Sequence, residues 1–169
     1  MITIRLDSKE AQRRLKAFPG LAEKAIQAAI NKTLTSGKTM AKRAISDHYN
    51  IKQGRVAEAI STQKAFPGNA GRIIAKGKDI GLVNFGPRPK ASIGRNNRKP
   101  LSVEITRGKR VTVKGGFSAA ARLPIKRLTT RGVAGMMDSH RVMDKLEPEI
   151  QADAQKQLNS QINRLLAGK

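Results

Sequence analysis

The sequence predicts an α+β protein, with long N-terminal and C-terminal helices packed on an antiparallel β-sheet and an extended basic loop and hairpin between them. Three observations predict this. Residues 21–48 carry apolar or small side chains at steps of three and four, the spacing of a helix with one buried face. Residues 142–166 repeat apolar side chains every four positions. Between them, residues 101–113 alternate apolar and polar around a turn, the pattern of a β-hairpin with one buried face.

Taken in order, Ile2, Ile4 and Leu6 alternate with polar residues, which predicts a strand over 2–6. Asp7 or Ser8 then caps a helix over 8–18, with Ala11, Leu15 and Phe18 inward. Pro19-Gly20 turns the chain into the helix 21–48, a rod of roughly 42 Å at 1.5 Å per residue. Its apolar face is built from small residues, so a partner can approach closely. Ala29, Gly37 and Ala41 are therefore expected at a close helix-packing contact, shared between neighbouring copies as well as within the subunit. Gly37 costs about 1 kcal/mol relative to Ala in mid-helix, and a close crossing or a kink would account for it. A short helix follows at 53–60, with Val56, Ala59 and Ile60 on its apolar side. Pro67-Gly68-Asn69 is a turn.

Strands are expected at 72–75 and 80–85. Residues 86–100 hold three Pro, two Gly and no acid, the chemistry of an extended solvated loop. Strands 101–106 and 110–114 form the hairpin around the basic tip Arg107-Gly108-Lys109-Arg110. A further strand is expected at 123–126, and a helix over about 138–166, with Pro148 in the first turn of its main segment, where its missing N–H costs nothing. The 169 residues make one domain: 1–62 mainly helical, 63–131 β-rich and basic, 132–169 the C-terminal helix.

Composition narrows the function. The net charge is +22, from 34 Lys and Arg against 12 Asp and Glu. Such a charge attracts polyanions and opposes a compact monomer by self-repulsion. Its distribution is uneven: residues 80–137 hold thirteen Lys and Arg and a single acid, Glu104. The lysines of the long helix lie nearer to balance, with Glu23 and Asp47 among them. There is no Cys, so neither disulfides nor thiolate metal sites are available. Uncharged apolar runs stay well short of a membrane span, and MITIRLDSKE lacks an apolar signal core. These readings point to synthesis in a cytoplasm.

Catalytic chemistry is poorly supplied. His48 ends the long helix, where a cation suits the helix C-terminus, and His140 lies in a polar stretch. No zinc-protease or phosphate-loop motif is present, and Asp79 and Glu104 alone cannot assemble a divalent-metal site. The expectation is a protein that is not an enzyme and takes no cofactor. The functional residues are instead expected to be Arg88, Lys90, Arg95, Arg98 and Lys99 in the loop and Arg107, Lys109 and Arg110 at the hairpin tip. They would contact DNA phosphates without reading sequence, or pair with acidic partner proteins. Only Phe85 and Phe117 lie near them, too few for a base-stacking platform.

The order of segments adds a further expectation. Residues 25–60 (AIQAAINKTLTSGKTMAKRAISDHYNIKQGRVAEAI), 81–89 (GLVNFGPRP) and 115–137 (GGFSAAARLPIKRLTTRGVAGMM) resemble the minor tail protein Z family, the tail completion proteins of lambda-like long-tailed phages and prophages. The resemblance covers nearly the whole chain and contains no catalytic motif. It implies a virion structural protein at the head-proximal end of a phage tail, made in the bacterial host cytoplasm and acting in head–tail joining and DNA passage. It further implies tail terminator, tail tube and head-completion proteins as partners, and a homo-oligomeric ring beside neighbours of sixfold symmetry. Phage DNA in the conduit would be a ligand, and no membrane is involved. Without the resemblance, the residues alone support a free nucleic-acid-binding protein with no sequence specificity.

Overall fold

The computed structural model describes residues 2–3, 13, 19–66, 70–88, 102–112 and 129–167. In chain order they form β1 (Ile2–Thr3), α1 (Pro19–His48), α2 (Gln53–Ala59), β2 (Ile60–Gln63), β3 (Arg72–Ala75), β4 (Ile80–Gly81), a 3₁₀ turn (Leu82–Asn84), β5 (Ser102–Thr106), β6 (Lys109–Thr112), β7 (Thr129–Thr130), α3 (Val133–Met137) and α4 (His140–Ala167). The fold is α+β, with two long helices and small antiparallel sheets.

The two long helices pair along their lengths and run antiparallel. Ala22, Ala25 and Ala29 at the start of α1 cluster with Leu158 and Ile162 at the end of α4. The other end of α1 joins Val142, Leu146 and Ile150 of α4 in the main core. α1 has 30 residues, about 45 Å of rod. The stripe of α4 residues four apart lies fully inside: Leu146, Ile150, Ala154, Leu158 and Ile162 are each at most 1% exposed. Alanines on α1 let these larger α4 side chains approach its backbone. One polar link crosses the pair, where the Ser36 hydroxyl donates to the Asp153 carboxylate.

Against this pair lies a three-stranded antiparallel sheet in the order β1–β3–β2. Its central strand puts Ile73, fully buried, against α1. Gly37 is where that strand presses in. A Cβ placed on it would stand 2.7 Å from Ile73 Cδ1 and 3.5 Å from Ile150 Cδ1. The expected close approach at Gly37 is therefore made to the sheet first and to α4 second.

Several boundaries differ from the sequence expectations. The strand expected over 80–85 is only Ile80–Gly81, and the chain then turns through the 3₁₀ segment. Leu82 and Phe85 are both buried. Three residues apart, they would face opposite ways on a strand, whereas a turn points both inward, and Asn84 Nδ2 closes it on the Gly81 carbonyl at 2.9 Å. Ile60 does not end α2 but opens β2, paired with Ala75. Pro148 lies inside α4 rather than in a first turn. It and Asp144, whose carbonyl it leaves without an amide donor, are both exposed, so solvent can hydrate that carbonyl and the helix runs through. The described strands are divided among three small sheets: the three-stranded one, β4–β7 and the β5–β6 hairpin. Residues 4–6 of the first strand, most of the helix expected at 8–18, residues 113–114 and the strand at 123–126 lie outside the described residues.

Candidate functional site

The hairpin is fastened to the C-terminal end of α1. Tyr49 pairs with Thr106 as an isolated bridge, and the Asn50 amide donates to the Ile105 carbonyl at 2.9 Å. The Arg107 amide donates to the His48 carbonyl at 2.9 Å, and its Nε donates to the Ser46 carbonyl at 2.6 Å. Both carbonyls belong to the last turn of α1, where no further helical amide exists to satisfy them and where a cation is favoured by the helix dipole. Gly108 turns the tip with φ 75°, a conformation that side chains resist.

Glu104, the one acid of the basic span, is used up inside the hairpin. Its carboxylate accepts from the Gly108 amide at 3.0 Å and from Arg110 at 3.2 Å. Arg110 also donates to the Gly86 carbonyl at 2.7 Å. Beside it, Arg88 and Ser102 exchange two backbone hydrogen bonds of 2.9 Å, so the two chain ends flanking residues 89–101 are tied together on the hairpin.

The eight expected contact residues thus separate. Arg107 and Arg110 are structural ties, because their guanidinium groups hold backbone carbonyls and Glu104. Arg88 and Lys109 are exposed, and among the described residues neither side chain has a hydrogen bond or ion pair. Lys90, Arg95, Arg98 and Lys99 lie outside the described residues. On α1, Ala29 and Ala41 are completely buried and Gly37 is buried against Ile73 and Ile150. Packing inside the subunit covers all three.

A second feature was not foreseen. Where the end of α1 meets the start of α4, a groove of about 500 Å³ opens. Its floor is Met40, Ala44 and Val142; its rim is Arg43, Asp47 and half-buried His48 on one side and Arg141, Lys145 and Glu149 on the other. Arg43 and Asp47 pair at 3.6 Å with both side chains largely exposed, so the pair is weak. His48 sets its ring edge-on to Tyr49 at 4.8 Å, while His140 is exposed. Arg141 and Lys145, four apart on a helix, were visible as neighbours in the sequence. That they would face Arg43 was not, since it depends on the antiparallel pairing of two distant helices.

Among the described residues no group of three or more His, Cys, Asp or Glu is placed to hold a metal ion, and no helix is long and apolar enough to cross a membrane. Comparison with known protein families, curated proteins and solved structures returned no match.

Proposed function

We propose that this chain is a structural virion protein at the head-proximal end of a phage tail, where it completes the tail for head–tail joining and DNA passage. It would do so as a homo-oligomeric ring among tail terminator, tail tube and head-completion proteins. The observation that carries this reading is the division of labour in the hairpin. Arg107 fixes it to the end of a long helix, Arg110 ties it to the Gly86 carbonyl and to Glu104, and Arg88 and Lys109 are exposed with no side-chain partner among the described residues. A two-helix body holding a basic hairpin at one end suits a component whose work is contact with DNA or with acidic proteins. The order of residues 25–60, 81–89 and 115–137 supports placing that component in a tail.

Purified tails test the proposal. Mass spectrometry should find the chain in particles, and removing its gene should leave tails of normal length that fail to join heads productively. Absence from particles, together with binding of cellular DNA or RNA by the free protein, would favour a free nucleic-acid-binding protein instead. The net charge of +22 is the observation on that side.

A further inference from the structure

We infer that the groove between the end of α1 and the start of α4 is a docking site for a polypeptide segment of net acidic character with an apolar anchor residue. The inference does not depend on the chain belonging to a tail. It rests on the arrangement of charge around an apolar floor.

Met40 and Ala44 of α1 are half-buried, and Val142 of α4 lies beneath them. A floor of about 500 Å³ is within the range that takes a few side chains. Met is unbranched and adaptable, so it can repack around an incoming apolar group. Around that floor, Arg141 and Lys145 are exposed and have no ion-pair partner among the described residues. Among the described residues, Arg43 is held only by its exposed contact with Asp47.

The rim also carries two carboxylates, and they decide between classes of partner. A nucleic-acid strand presents one charge sign throughout, so its phosphates would meet Asp47 and Glu149 as well as the three cations. Its bases stack best on aromatic faces, whereas the floor is Met40, Ala44 and Val142. A polypeptide can place acidic side chains on Arg141, Lys145 and Arg43, a neutral or basic one near Glu149, and an aliphatic one in the floor. Electrostatic complementarity of this mixed kind fixes register and partner choice. The groove therefore differs in kind from the hairpin surface, where Glu104 is already engaged by Gly108 and Arg110.

The test uses the full chain and fluorescence anisotropy. Three labelled probes are compared: a peptide of about twelve residues alternating Leu and Glu, an all-Glu peptide of the same length, and a single-stranded oligonucleotide of similar charge. The Leu/Glu peptide should bind at least about ten-fold more tightly than the all-Glu peptide. The exposed pair Arg141→Glu with Lys145→Glu should weaken it by about ten-fold or more. Both side chains are exposed, so circular dichroism should be unchanged, as should oligonucleotide binding. The inference is overturned if the all-Glu peptide binds as well as the Leu/Glu peptide, or if the double variant binds the Leu/Glu peptide like wild type. Displacement of that peptide by the oligonucleotide from wild type would assign the groove to nucleic acid and overturn it equally.

Discussion

Gly37 of α1 and Ile73 of β3 meet so closely that a Cβ on residue 37 would lie 2.7 Å from Ile73 Cδ1. The obstructing atom is the far end of a flexible side chain. Gly37→Ala therefore sets a helix-propensity gain of about 1 kcal/mol against the cost of moving one methyl group, and should change stability little. Gly37→Leu overfills the site and should cost about 1–3 kcal/mol or more. Ile73→Val removes Cδ1 and alone should cost about 0.5–1.5 kcal/mol. In that background Gly37→Ala should become stabilising. Urea unfolding of the four members of the cycle measures the coupling; additive effects would show that Ile73 is not the obstacle.

Gly132 is the contrasting case. Its φ of −67° is ordinary, so any residue could adopt it. Yet a Cβ there would stand 2.7 Å from the Lys78 carbonyl oxygen and 3.1 Å from that of Gly77. Backbone cannot rotate away as a side-chain methyl can. Gly132→Ala should thus lose more stability than Gly37→Ala, by about 1–3 kcal/mol, in the same urea assay.

Arg107 is predicted to act through folding. Its Nε bond to the Ser46 carbonyl is partly buried, and a hydrogen bond from a charged group is worth about 1.5–3 kcal/mol. Arg107→Ala should lower stability by roughly that amount, and Arg107→Lys by less, because the cation at the end of α1 is kept while the directed Nε is lost. Hydrogen exchange should find the Asn50 amide, bonded to Ile105, less protected in Arg107→Ala. Unchanged protection at Asn50 would mean the hairpin holds to α1 without this residue.

What was legible in the sequence divides along local and non-local lines. The period of α1, the apolar stripe of α4 and the alternation in the hairpin are local, and each element formed where its spacing put it. Leu82 and Phe85 were read as strand residues because a short apolar run has no period of its own; burial of both required a turn. β2 was missed because Ser61, Thr62 and Gln63 are exposed and carry no apolar alternation, so pairing to β3 alone makes them a strand. At the surface, charge density marked the hairpin as basic. Which arginines are tied up depended on where the α1 carbonyls, Gly86 and Glu104 arrive in space, and no sequence spacing encodes that. The groove rim is non-local in the same sense, joining Arg43 to Arg141 across nearly a hundred residues.

Arg88 and Lys109 should behave oppositely to Arg107. Both are exposed, so Arg88→Ala with Lys109→Ala should leave stability within about 0.5 kcal/mol of wild type. If they neutralise phosphates, duplex DNA affinity should fall with salt in wild type, and the slope of log K against log salt should lose about two in magnitude in the double variant, near 0.9 per phosphate contact. Anisotropy of a labelled duplex across a salt series gives both slopes. Equal slopes would remove these two residues from any DNA-facing surface.

The last prediction concerns a buried amide. Gln161 is 8% exposed on α4, beside Leu158 and Ile162, which pack with the start of α1. Its Nε2 is buried without a hydrogen-bond partner among the described residues. Desolvating a donor without replacing its bond to water costs about 1–3 kcal/mol. Leu keeps most of the volume and removes the donor, so Gln161→Leu should raise stability by about 1 kcal/mol. For a chain of this size that moves Tm by about 2–4 °C. Gln161→Ala also removes the donor but leaves a void at this buried position, and such a void is destabilising. Leu should therefore stand above wild type and Ala below it in a thermal melt. If Leu falls below wild type as well, the amide is hydrogen-bonded in the native protein and its burial is not a cost.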